Sequence, residues 1–113
     1  MALSQTGLGL FTSCSASSTT TVLTVASSKT NFVRGLLIHN THSATVNVKI
    51  HIVPNGGSVG TANQLLQVNL VTLDTYFLEF NFPIILATNG DTIQAVVGSG
   101  GAQNIMVIGD KNS

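Results

Sequence analysis

Apolar and polar residues alternate along most of this chain with a period of two, and no window carries the period of a helix. The clearest run is residues 44–53. Val46, Val48, Ile50 and Ile52 fall on one face of it, and Thr45, Asn47, Lys49 and His51 fall on the other. Two strands are predicted before it, at residues 20–26 and 32–40, with short polar turns at 27–30 and 41–43. Pro54-Asn55-Gly56-Gly57-Ser58 is a firm break, and residues 60–63 extend it into an exposed loop. Beyond the loop, Leu66, Val68 and Leu70 alternate with Gln67 and Asn69, and a turn near Leu73-Asp74-Thr75 reverses the chain. Tyr76, Leu78, Phe80 and Phe82 then alternate with Phe77, Glu79 and Asn81, and Pro83 ends that strand or places it at a sheet edge. Asn89-Gly90 is a tight-turn signal leading into Thr92–Val97, with Ile93, Ala95 and Val97 inward. Gly98-Ser99-Gly100-Gly101 reads as a loop and residues 104–108 as the closing strand.

Seven to eight short strands with only turns between them predict an all-β fold, an antiparallel β-sandwich or jelly-roll-like barrel. Composition agrees: Val, Ile and Thr supply 34 residues, whereas Glu, Lys and Arg together supply five. A chain of 113 residues holds one such domain, assigned to residues 19–113. Residues 1–18 are Ser/Thr/Gly-rich and read as an extended N-terminal arm that orders against a neighbouring subunit, with Leu8, Leu10 and Phe11 as its contacts. In residues 75–82 the parity that buries Tyr76, Leu78, Phe80 and Phe82 turns Phe77 outward beside Glu79. The neighbouring strand turns Leu65 and Val71 outward beside Gln67 and Asn69. A one-residue slip would bury Glu79 unpaired, which is costly. Outward apolar residues at Leu65, Val71 and Phe77 therefore predict a subunit interface.

Charge sharpens that picture. Only four Lys/Arg and four Asp/Glu are present, 7% of the chain against about 25% in typical domains. Their place is taken by Thr, Ser, Asn and Gln, together 40 residues. Net charge is zero, so the electrostatic footprint of a nucleic-acid or acidic-membrane binder is missing. A neutral, charge-poor surface suits a protein packed against neighbours, here a homo-oligomer, with a trimer as the expected state. Residues 1–28 carry no charge, and 13 of them are Ser or Thr, so they read neither as a membrane helix nor as a signal peptide. Cys14 is the single cysteine and fits folding in a reducing cytoplasm.

The inventory for chemistry is sparse, and no catalytic, cofactor-binding or metal-binding residue is assigned. Asp74 and Asp91 fall in turns, where Asp has a local structural task, Asp110 lies near the chain end, and Glu79 alone sits on a strand. Cys14 has no base placed beside it, and the glycine clusters lack the helix a phosphate loop requires. His39, His42 and His51 could meet across a hairpin of strands 32–40 and 44–53, but polar surface or interface histidines are the reading favoured over a metal site. Four cations and six aromatic residues build no stacking platform for single-stranded nucleic acid. With no Trp and one Tyr, a sugar-binding module is a minor alternative.

Leu10-Phe11-Thr12-Ser13, Thr21-Val22-Leu23-Thr24-Val25 and the run from Phe32 through Ile38-His39-Asn40-Thr41 resemble small structural proteins of tailed-bacteriophage virions. So do the alternating strand ending at Val53, the Pro54-Asn55-Gly56-Gly57-Ser58 loop and Gly90-Asp91-Thr92-Ile93-Gln94-Ala95. The likeness covers about residues 10–108, and its motifs are short and concern fold rather than chemistry. Ala26-Ser27-Ser28-Lys29 departs from it, since such proteins often carry Pro-Ala-Gly-Lys there. The resemblance implies a non-enzymatic virion component made in the host cytoplasm and located on the capsid surface. Its expected role is a capsid decoration (cement) protein bound to the major capsid protein between capsomers, without cofactor, nucleic acid or membrane. A tail- or baseplate-associated structural protein is the alternative.

Overall fold

The computed structural model describes residues 3–15, 17–42, 44–98 and 103–112. They form β1 (Leu3–Cys14), β2 (Ser18–Thr24), β3 (Thr30–Asn40), β4 (Val46–Val53), β5 (Gln64–Leu70), β6 (Thr75–Leu86), β7 (Thr92–Val97) and β8 (Gln103–Asn112), with a 3-10 turn at Thr61–Asn63. Two four-stranded sheets result, in the orders β1-β8-β3-β6 and β2-β7-β4-β5, and every pairing is antiparallel. Only β4 and β5 are consecutive strands in one sheet; every other connection crosses to the opposite sheet. This is the antiparallel β-sandwich expected, with the strand order of a double-sheet jelly roll.

Two expectations change with this topology. Strands 32–40 and 44–53 do not form a hairpin, because β3 and β4 belong to opposite sheets, and β5 and β6 are likewise not neighbours. Period-two alternation assigns faces, whereas partner choice lies in the crossing turns. At the β3–β4 crossing the fully buried Asn40 supplies the missing bonds. Its Nδ2 donates to the carbonyls of Ala44 (2.9 Å), Leu70 (3.0 Å) and Val71 (3.0 Å), and its Oδ1 accepts from His42 N and Gln103 Nε2, each at 2.9 Å. Secondly, residues 3–14 are not an arm but the edge strand β1, paired with β8 from Leu3 opposite Asn112 to Cys14 opposite Gln103. The sandwich thus begins well before residue 19. Register shifts at Gly7/Gly9 and Gly9/Thr12 break the strand's period, which hides it in the sequence.

The core is the layer between the sheets, where Leu36, Ile38, Ile50, Leu70, Ile93 and Ile105 are fully buried. Parity in β3 switches at one residue. Arg34 is extra relative to β8, so the inward side passes from Asn31 and Val33 to Leu36 and Ile38. Against β6 the mismatch is larger, because Gly35 pairs with Glu79 and Val33 with Ile84. Residues 80–83 therefore all stand opposite Arg34, in an excursion that only an edge strand can accommodate. Phe82, expected inward, is consequently 85% exposed. Pro83 sits within that excursion, and the strand resumes to Leu86.

At the far end, Gly90 holds the Asn89-Gly90 turn at φ +89°, and a Cβ there would lie 2.6 Å from Asn55 Oδ1. The turn is tied to Val25, just past the end of β2, by Gly90 N to Val25 O and Val25 N to Asp91 O. Asp91 Oδ1 accepts from Asn55 N (3.0 Å), and Asp74 Oδ1 from Thr75 N (2.9 Å), the structural tasks expected of both.

Candidate functional site

The two sheets present unlike outer faces to their surroundings. On β1-β8-β3-β6 the positions opposite the core include cross-strand rows: Phe32 beside Ile85, then Ile108 beside Gly35, then Met106, Leu37 and Phe77. Polar residues stand at Asp110 beside Phe32, at Glu79 beside Gly35, at the exposed Arg34, and in the terminal row Asn104, His39 and Thr75, where His39 Nδ1 lies 2.8 Å from Thr75 Oγ1. On β2-β7-β4-β5 the outer rows are Thr19, Val96, Lys49 and Gln67, then Thr21, Gln94, His51 and Gln64. The first face carries one wholly apolar row, Met106, Leu37 and Phe77, between rows that mix apolar and charged or polar positions, and the second is largely amides and hydroxyls.

Exposure is concentrated as well. Among the described residues the exposed large apolar side chains are Val71 (55%), Leu73 (66%), Phe77 (52%), Phe82 (85%) and Ile85 (60%). All five fall within residues 71–85, that is, on edge strand β6 and the turn feeding it. In that turn Leu73 has φ +58°, a left-handed conformation that Gly or Asn adopts at lower cost. An exposed leucine is held in an unfavourable backbone state at the tip of the apolar edge.

The residues expected at an interface are only partly gathered there. Phe77 and Val71 lie in this region. Leu65 does not: it is the extra residue where His51 pairs with Gln64 and Ile50 with Leu66, and it is half-buried against the core. The backbone of Leu8, Leu10 and Phe11 runs in β1, on the opposite edge of the sheet from β6, and their side chains lie outside the described structure. Residues 99–101 of the expected glycine loop also lie outside it. Leu73, Phe82 and Ile85 were not anticipated. Pro83 was the available signal, since a proline inside an apolar strand marks an edge and a break in period.

A groove of about 200 Å³ opens on the polar face, lined by Lys49, His51, Val59, Gly60, Thr61, Gln64 and Val96. The 3-10 turn covers His51, whose Nδ1 lies 3.1 Å from Gly60 O and 2.9 Å from Asn63 Oδ1. The three histidines do not converge, since His39 and His51 occupy opposite outer faces and His42 sits at the β3–β4 crossing. Among the described residues no three His, Cys, Asp or Glu side chains are grouped to hold a metal ion. No described helix is long and apolar enough to cross a membrane.

Cys14 is buried at the end of β1 rather than in an extended arm, with Sγ 3.7 Å from Thr12 O. Burial pushes its thiol pKa up, partly opposed by a hydrogen bond from Thr20. The thiolate is the reactive form. Alkylation at pH 8 is therefore expected to run at least about tenfold slower in the folded chain than in urea. Equal rates would show that Cys14 is accessible.

No protein-family model matches the chain, and no curated protein matches its sequence. Solved structures do share its fold. A chain of the Bacillus endospore appendages, which form disulfide-linked pili, superposes with a TM-score of 0.54 at 12% identity, covering 98% of this chain and 88% of that one. A chain of the infectious bursal disease virus particle, an icosahedral virus, gives 0.52 at 11% identity over 97% of this chain. The present chain spans only 34% of that viral chain's length. At such identities the likeness concerns the fold alone.

Proposed function

We propose that this chain is a non-enzymatic structural protein of a virion, a capsid decoration protein that binds between capsomers and associates as a homotrimer. The observation that carries the reading is the gathering of Val71, Leu73, Phe77, Phe82 and Ile85 along one sheet edge, continuous through Phe77 with the apolar row Leu37 and Met106. A small free monomer gains nothing from an exposed apolar edge, which templates unwanted pairing. A subunit that docks through it gains the burial. Zero net charge removes long-range repulsion between copies, in keeping with dense packing on a shell. The jelly-roll frame also occurs in chains of a pilus and of a viral particle. Fold alone assigns no function, so the surface bears the argument.

Association is tested with the free chain and with particles. Light scattering at micromolar concentration is expected to give a mass well above one chain. Replacing Phe77 and Phe82 together by Ala should leave the fold intact and shift the mass toward one chain. Each ring contributes about 1–3 kcal/mol if it is an interface anchor. A chain that is monomeric both free and on the particle sinks the proposal. So does a double variant whose melting falls by the same amount at every concentration while association stands. Counting copies in purified particles separates the locations: hundreds would fit the shell, and a few at one vertex would fit the tail instead.

A further inference from the structure

We infer that the groove over β4 is a binding site for an acidic sugar, a hydroxylated ring carrying one carboxylate. It lies on the β2-β7-β4-β5 sheet, on the other side of the sandwich from Phe77, so it stands independently of the assembly reading. His51 forms its floor and is only 3% exposed. The hydrogen-bond network around His51 fixes which ring nitrogen carries the hydrogen. Asn63 Oδ1 accepts from Gly60 N (3.0 Å) and its Nδ2 donates to Ser58 O (2.9 Å), so the amide has a single orientation. His51 Nδ1 then faces two acceptors, Gly60 O and Asn63 Oδ1, and must be the donor. Nε2 is the ring nitrogen left to meet a ligand, and a hydroxyl, which both donates and accepts, can pair with it.

The remaining lining completes that chemistry. Among the described residues Lys49 is the one ammonium in the groove, and no carboxylate lines it. An ammonium there favours an anionic group and forms charge-assisted hydrogen bonds with a carboxylate. Thr61 and Gln64 add a hydroxyl and an amide, each able to donate and accept. Val59 and Val96 offer small apolar walls for the C–H surface of a ring. A bare inorganic anion would call for several converging N–H donors or cations, and this groove has one cation. At about 200 Å³ it lies below the usual range for drug-sized ligands and has room for one ring. Gln67, Gln94 and Thr21 continue the polar surface beyond it, where neighbouring sugars of a chain would run.

The full-length chain can be titrated with sodium glucuronate, glucose, acetate and inorganic phosphate, with amide NMR shifts as the readout. Saturable glucuronate binding is expected, with shifts centred on Lys49, His51 and Gln64. Glucose and acetate should each bind at least about tenfold more weakly, because each supplies only one half of the recognised chemistry. Lys49→Gln should weaken glucuronate by about tenfold or more with an unchanged melting temperature. Gln64→Ala, at the rim, should weaken it several-fold and leave acetate unaffected. The assignment is overturned by non-saturable glucuronate binding, or by equal affinity in Lys49→Gln. It is equally overturned if acetate or phosphate binds as tightly as glucuronate, which would make the groove a plain anion site.

Discussion

Replacing Asn40 by Ala is expected to lower the melting temperature by roughly 10 °C or more, the largest single effect of any polar substitution in the chain. The side chain is fully buried and serves five partners: the carbonyls of Ala44, Leu70 and Val71, the His42 amide and the Gln103 side chain. Alanine removes every one of them, and the two fully buried partners, the Leu70 carbonyl and the Gln103 amide, are left away from water. Each buried group stranded in this way costs about 1–3 kcal/mol, partly recovered if water enters the space vacated. A net loss of about 3 kcal/mol or more follows. Asn40→Asp should be nearly as damaging, since a carboxylate accepts but cannot donate to three carbonyls. The control is Asn69→Ala, which breaks an exposed amide pair with Asn47 and should change stability by less than about 1 kcal/mol. Hydrogen exchange gives a second readout. Asn40 also donates its backbone N–H to Asp74 O, so the Leu70–Asp74 region should lose protection first. If Asn40→Ala melts within about 2 °C of the parent, the crossing is held by something other than this side chain.

What was legible in the sequence is what a period of two encodes. Val46, Val48 and Ile50 are buried as their alternation requires, and Ile93, Ala95 and Val97 likewise. The outward position of Phe77 followed from the cost of burying Glu79, and both side chains are exposed. The reading failed wherever the period itself is interrupted. Arg34 adds one residue to β3, residues 80–83 add several to β6, and Leu65 adds one to β5, and each insertion moves a side chain off its simple alternating assignment. Phe82 passed from core to solvent in this way, and Leu65 passed from solvent toward the core. Pairing partners were beyond local reading for a different reason. A polar turn of three to five residues looks the same whether it returns within a sheet or crosses to the other one. What decides is a distant contact such as Asn40 with Leu70 and Val71, thirty or more residues away. The groove was hidden for the same reason. Lys49 and His51 were placed on the polar face, but the turn that covers His51 comes from residues 60–63, which read as loop.

Gly35→Ala should disturb the edge strand and its apolar face together. A Cβ at Gly35 would stand 2.8 Å from the carbonyl oxygen of Leu78 and 3.4 Å from Phe77 Cε1. The nearer obstruction is backbone, so no rotamer change relieves it, and β6 must move away from β3. Gly35 is also the first residue of the β3–β6 ladder after the irregularity at Arg34, where the two strands already part company. Overpacking of this kind costs about 1–3 kcal/mol, or a fall of several degrees in melting temperature. Gly60→Ala is the matched control, because nothing lies within 4 Å of a Cβ there and its φ of −170° is ordinary extended backbone. The functional consequence is separable from the stability loss. The Phe77 ring rests against Gly35, and the methyl group would lift it out of the row it forms with Leu37 and Met106. Self-association should therefore weaken in Gly35→Ala even at temperatures where the chain is fully folded, and Gly60→Ala should associate as the parent does. Light scattering beside thermal melting reads both. If Gly35→Ala keeps its melting temperature, β3 and β6 are not packed as closely as described. If it melts lower yet associates unchanged, the row containing Phe77 is not the surface through which copies meet.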